Sequence, residues 1–159
     1  MKTILVPVDF SDGSVSALDL AIKIAKGFAA KLLVLHVIHD PANSPGFYNS
    51  KKAGKKVLRS MEESARQMMD NFAKTHLKKF KSYETVVRSG LPATQITNFA
   101  KQKKVDLVVM GTHGRGVLDR LILGSVADKV IRQATCPVLV AREQESIEKD
   151  EEDKVEDKR

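Results

Sequence analysis

Val105-Asp106-Leu107-Val108-Val109-Met110 runs directly into Gly111-Thr112-His113-Gly114-Arg115-Gly116-Val117-Leu118-Asp119-Arg120-Leu121-Ile122-Leu123-Gly124-Ser125, and this stretch decides the fold. Its first six residues form a mostly apolar run of strand length, and Ser125–Ala134 carries the pattern of a helix. A strand that passes through a glycine-rich loop into a helix is a unit of open α/β sheets, where ligands bind beyond the carboxyl ends of strands. Gly114, Gly116 and Gly124 let backbone amides approach an anion closely. Gly124 and Ser125 open a helix whose unpaired N–H groups and positive dipole end favour phosphate, and Arg115 and Arg120 add formal charge. The loop is not a P-loop, because no Gly-Lys-Ser/Thr ending is present. On residues alone, glycines that merely turn a long loop remain an alternative; the position after a strand favours phosphate.

The rest of the chain repeats the alternation. Thr3–Val8 is a β-branched run with Pro7 near its end, where a missing ladder donor matters least. Ser11, Asp12 and Ser14 offer caps for a helix with an apolar face of Val15, Leu18, Ile22 and Ala25. Leu32–Ile38, interrupted only by His36, reads as a strand covered on both faces. A polar loop follows, broken by Pro41, Pro45, Gly46 and Gly54. From about Lys55 to Leu77, Val57, Met61, Ala65, Met68 and Phe72 recur at helical spacing, and Met61, Met68 and Met69 read as that helix's core face. Tyr83–Val87 is a short strand, Leu91-Pro92 opens a helix, and Val138–Ala141 is a fifth strand. Strands alternating with helices imply parallel strands joined by helical crossovers, hence an open doubly wound α/β domain. It is expected over residues 1–142, followed by a charged, disordered tail over 143–159.

The 159 residues suit one domain, and 42 % hydrophobic with 30 % charged residues is ordinary for a soluble globular chain. No apolar run reaches membrane-spanning length, and Met1–Asp9 lacks the features of a signal peptide, so a cytoplasmic location is expected. The net charge of +7 is uneven: residues 143–159 hold nine acids against four bases, leaving 23 bases against 11 acids before them. Such a body attracts polyanions, nucleotides among them. With two tyrosines, no tryptophan and no nucleic-acid motif, nucleic-acid binding is not the favoured reading. The single cysteine, Cys136, excludes an internal disulfide and reads as a small buried hydrophobe. His36, within an apolar run, reads as a satisfied histidine at or near the core; His113, in the loop, either contacts phosphate or is solvated. The four histidines and one cysteine show no metal-ligand spacing, so no protein metal site is expected.

Gly111-x2-Gly114-x9-Gly124-Ser125 resembles the Gly-x2-Gly-x9-Gly-Ser/Thr motif of ATP-binding universal stress proteins. Ile4-Leu5-Val6-Pro7-Val8-Asp9-Phe10-Ser11 looks like that family's first strand, and Leu35-His36-Val37 resembles its second. Asp106–Gly111 is similar to its fourth, and Cys136-Pro137-Val138-Leu139-Val140 to its fifth. The resemblance spans about residues 1–142 in the expected order. It implies a five-stranded, Rossmann-like parallel sheet of the adenine nucleotide alpha hydrolase-like type, and a homodimer paired through Val138–Ala141. It further implies ATP as ligand, with Asp9 on the ribose, the Val37 backbone on adenine, and Met110 and Gly111 bordering adenine and ribose. Gly114, Gly124, Ser125 and Val126 would bind the phosphates. Pro7, Val8, His113 and Arg115 complete the expected ATP site, with Mg2+ bridging phosphates as an option. Asp9 has helix capping as its alternative role.

Three functions follow from different classes: a nucleotide-dependent regulatory protein of the stress response, a slow ATPase or autophosphorylating protein with Ser125 or Thr112 as acceptor, and an interaction protein without nucleotide. Hydrolysis needs a residue that positions water and an acid that holds the metal. Asp119 is the only acid in the loop, so no catalytic residue is assigned. Pro7–Gly13 lacks the Ser-Gly-Gly and His-x-x-His signatures of related adenylating enzymes. The favoured reading is a binding switch.

Overall fold

Along β1 (Thr3–Pro7) successive side chains leave opposite faces of the sheet, and both faces are covered. Ile4 and Val6 enter one apolar cluster while Leu5 enters another. The computed structural model describes residues 1–39, 51–112 and 123–142. Within them β1 is followed by α1 (Asp12–Phe28), β2 (Lys31–Ile38), α2 (Lys51–His76), β3 (Tyr83–Ser89), α3 (Pro92–Gln102), β4 (Leu107–Gly111), α4 (Ser125–Gln133) and β5 (Val138–Ala141). All four strand pairings are parallel, in the order β3-β2-β1-β4-β5, with Ile4 opposite Leu32 and Leu5 opposite Val108. The expected doubly wound sheet of five parallel strands is therefore present.

Two cores sandwich the sheet. Ile4, Val6, Leu32, Val34 and Val109 pack with Ala17, Leu18 and Ala21 of α1 and Met69, Phe72 and Ala73 of α2. Leu5, Leu33, Leu35, Val108 and Met110 pack with Ile96, Phe99 and Ala100 of α3 and Ala127 and Val130 of α4. Continuous apolar strands are what two-sided coverage demands.

Local chemistry sets the helix ends. Ser11, extended at φ −81° and ψ 166°, caps α1 by accepting the Ser14 N–H at 3.3 Å on its Oγ. Pro92 occupies the first turn of α3, where its missing donor removes no helix bond. α4 starts at Gly124, which has no side chain to cap it.

Three expectations about packing need correction. The buried side of α1 is Ser14, Ala17, Leu18, Ala21 and Ala25; Val15 and Ile22 only flank it. Small residues win because they let the helix axis approach the sheet closely. Val57 and Met68 of α2 are 53 % and 40 % exposed, whereas Met69 is buried. Among the described side chains of α2 the buried ones start at Ala65, so the helix's first half carries apolar periodicity that the core does not use. α2 also begins at Lys51 and includes Gly54, expected as a loop breaker. One glycine costs a helix only about 1 kcal/mol, which its neighbours can absorb. Residues 40–50 of the expected polar loop and the expected tail over 143–159 lie outside the described residues.

At the opposite end of the sheet from the strand termini that matter below, Asp106 ties β4 to the start of β1. Its Oδ2 accepts the N–H of Lys2 at 2.6 Å and of Thr3 at 2.9 Å. These two backbone hydrogen bonds hold the Asp106 carboxyl below its ordinary range. A depressed folded-state value contributes stability that is complete above the unfolded carboxylate range, about 3.9, and is lost as pH falls through the folded value. Asp106→Asn is therefore expected to lower thermal stability at neutral pH and to narrow the gap from the parent chain below about pH 4. Melting curves across pH check this; a gap that widens in acid would contradict it.

Candidate functional site

The chain runs outward from β1 to β2 to β3, then returns under the sheet to place β4 on the other side of β1. The connections leaving β1 and β4 therefore diverge to opposite faces, and a crevice opens between them at the carboxyl end of the sheet. A cavity of about 440 Å³ occupies this crevice, within the roughly 300–1,000 Å³ usual for small-molecule sites. β1 and its exit contribute Pro7, Val8 and Asp9; β2 contributes Leu35, His36 and Val37; β4 and its exit contribute Met110, Gly111 and Thr112. Gly124 to Ala127 line it from the start of α4, Pro92 and Ile96 from α3, and Ser14 from α1.

Two ends of the cavity differ in chemistry. At one end Asp9 Oδ1 accepts the N–H of Ser11 at 3.1 Å and the hydroxyls of Ser11 and Ser14, each at 2.5 Å. The Asp9 N–H donates to Ser14 Oγ at 2.9 Å. The carboxylate is thus oriented by the first turn of α1. Asp9 is thus a helix-organising acid that also lines the cavity. His36 donates from Nδ1 to the Val8 carbonyl at 2.8 Å, because that oxygen can only accept, and so it is a satisfied histidine at the cavity wall.

At the other end α4 begins. The Thr112 carbonyl accepts the Gly124 N–H at 2.8 Å, which pins the helix start against the exit of β4. Gly124 is extended (φ −61°, ψ 147°), and among the described residues no side-chain hydrogen bond caps the helix. The N–H groups of a helix's first turn have no partners within the helix, and their dipoles point out of it toward negative charge. Among the described residues that line the cavity none is Lys or Arg, so within them the positive potential at this end comes from backbone.

Pro7, Val8, Asp9, Val37, Met110, Gly111, Gly124, Ser125 and Val126 of the expected ATP site come together around this one cavity. His113, Gly114 and Arg115 lie outside the described residues, as do Asp119 and Arg120. Ser14, Leu35, Pro92, Ile96 and Ala127 were not anticipated there. The signal for Pro92 and Ile96 is available in principle, because α3 leaves the carboxyl end of a strand and must pass the same crevice. No group of three or more His, Cys, Asp or Glu side chains fit to hold a metal is found among the described residues. Cys136 is half-buried rather than buried; burial first, and the Asp106 charge second, push its thiol up, which favours the protonated form.

Residues 1–142 match the family model described as the universal stress protein family. Universal stress protein MJ0531 of Methanocaldococcus jannaschii is 36 % identical over 141 residues, which are 89 % of this chain and 82 % of that protein. The structure of universal stress protein UspA from Lactobacillus plantarum superposes with a TM-score of 0.75 at 30 % identity, over 89 % of this chain and 97 % of that one. A universal stress protein solved in complex with cAMP superposes with a TM-score of 0.59 at 26 % identity, over 90 % of this chain and 98 % of that one. With its five-stranded parallel sheet and its crevice between β1 and β4, this chain belongs to the universal stress protein family.

Proposed function

We propose that the cavity binds ATP and that the protein acts as a nucleotide-dependent regulatory protein of the stress response. The observation that carries this reading is the pairing, in one crevice, of an oriented carboxylate with an N-terminal helix turn that no described side chain caps. A carboxylate accepts hydrogen bonds from ribose hydroxyls, and free backbone amides donate to phosphate oxygens. Asp9 then holds the ribose, the Val37 backbone reads adenine, and Met110 and Gly111 border both. Gly124, Ser125 and Val126 bind phosphates, together with Gly114, His113 and Arg115. A relative solved with cAMP, also an adenine nucleotide, supports the ligand class. Asp9 is the only carboxylate among the described cavity residues, so a magnesium ion arriving with ATP is held mainly by phosphate and water. ATP binding shifts the balance between conformations, and a homodimer paired through Val138–Ala141 in the cytoplasm is the expected acting form.

The test is chromatography of small molecules released by heating freshly purified protein, followed by ATP titration calorimetry with and without magnesium. Co-purified ATP or saturable uptake near one per chain, with hydrolysis at background, is the expected result. Rapid ADP release would replace the switch with an ATPase, and no uptake under either condition would remove the nucleotide.

A further inference from the structure

Phe10 sits at φ 65° in the turn between β1 and α1. The left-handed region costs a side-chain-bearing residue about 1–2 kcal/mol. Ala29 and Lys104 also have positive φ, but they follow helix ends, where that conformation is a common stop. Phe10 precedes a helix, so termination does not explain it, and glycine would fit the turn at lower cost. The ring must therefore supply what the backbone loses. It lies 4.5 Å from the His36 ring and 5.6 Å from Phe72, the latter edge to face, and Phe72 in turn lies 4.7 Å from His76.

This places Phe10 between α2 and the ligand cavity. Phe72 belongs to α2 and does not line the cavity. On the cavity side Phe10 is bonded covalently to Asp9, whose carboxylate the serines of α1 hold. It also packs, tilted by 35°, against the ring of His36, whose Nδ1 holds the Val8 carbonyl. Both routes from the ring end at the exit of β1. A groove of about 290 Å³ between α2 and the sheet is lined by Phe10 and His36 together with Ile38, Met61, Ala65 and Met68. His36 thus forms part of the wall of both cavities.

We propose that Phe10 is a positioning residue. Wedged between His36 and Phe72, it sets the Asp9 carboxylate, so that the seating of α2 on the sheet tunes nucleotide affinity. The inference rests on the nucleotide reading of the cavity and adds the element that regulates it. By linkage, nucleotide binding changes the seating of α2 by the same coupling free energy.

Phe72→Leu is the first variant to examine, with Phe72→Met read the same way should it not fold. In the ligand-free, isotope-labelled protein, the Asp9 carboxyl carbon and the amides of Ser11 and Ser14 are expected to shift by NMR, although Phe72 belongs to α2 and lies outside the cavity lining. ATP affinity is expected to fall about 3- to 10-fold in Phe72→Leu and in Phe10→Gly, which removes both ring and backbone strain. The double variant should lose less than the product of the two, and Phe10→Tyr should retain affinity. Unmoved signals overturn the proposal, as does unchanged affinity of the folded variants against a parent chain that binds ATP. A parent chain that takes up no ATP removes the nucleotide reading instead, and the NMR comparison alone then decides the role of Phe10.

Discussion

Gly124→Val is expected to bind ATP at least about 100-fold more weakly than the parent chain while melting within a few degrees of it, a loss of about 2.7 kcal/mol in binding. The backbone at Gly124 lies in the extended region at φ −61° and ψ 147°, which valine also favours, so the turn itself survives. The N–H that anchors α4 to the Thr112 carbonyl is retained. What changes is the mouth of the helix. A branched side chain enters where, on the proposed reading, a phosphate comes within hydrogen-bond distance of backbone N–H groups. Calorimetry on the folded variant, with circular dichroism as the control, reads the two effects separately. Unchanged affinity in a folded variant would remove the phosphate assignment of α4.

The second large effect concerns stability. A Cβ placed on Gly111 would lie 2.9 Å from the Gly13 carbonyl oxygen and 3.0 Å from its carbon. Both contacts are with backbone, which cannot rotate away, and Gly13 is buried in the first turn of α1. Relief requires moving α1 off the sheet, against Ala17, Leu18 and Ala21 in the core. Gly111→Val is expected to cost about 3 kcal/mol, at the upper end of overpacking effects. Gly27 supplies the contrast: a Cβ there meets nothing within 4 Å, and in the last turn of α1 alanine is expected to stabilise by about 0.4–1 kcal/mol. Urea unfolding of both variants checks the pair. Equal stability of Gly111→Val and the parent chain would show that α1 can shift freely. The first glycine of the motif thus answers to the packing of two backbones.

Elements were legible wherever an apolar run ended at a breaker. Val138–Ala141 has the expected bounds, and β1, β3 and α4 differ from expectation by one or two residues. Strand order was not in the alternation, because β4 can follow α3 onto either edge until packing decides. The face of α1 was misjudged toward Val15 and Ile22, since periodicity weights large apolar residues while close approach selects small ones. Met68 and Val57 show the converse, a periodic stripe longer than the sheet it meets. Around the cavity, Asp9 and Gly124 were legible because a strand end and a helix-opening glycine mark the carboxyl end of the sheet, whereas Val37 and Met110 came only from the resemblance to the family. Phe10 was not, because a left-handed aromatic residue in a strand-to-helix turn has no local signature. Its conformation is set by His36 and Phe72, 26 and 62 residues away in sequence.

The place of β1 in the middle of the sheet also has a bearing on biosynthesis. The ribosome releases β1 first, with both hydrogen-bonding edges bare. β2 covers one edge once Ile38 has emerged, but the other waits for Leu107 to Gly111. At about 5–20 residues per second that interval lasts on the order of several seconds. Throughout it, Ile4, Leu5 and Val6 belong to a nascent chain with an exposed apolar strand edge, the kind of surface that chaperones hold and that aggregates recruit. The half of the molecule that builds the Asp9 end of the cavity is therefore the half that must be protected longest, and the cavity is completed only when α4 leaves the exit tunnel.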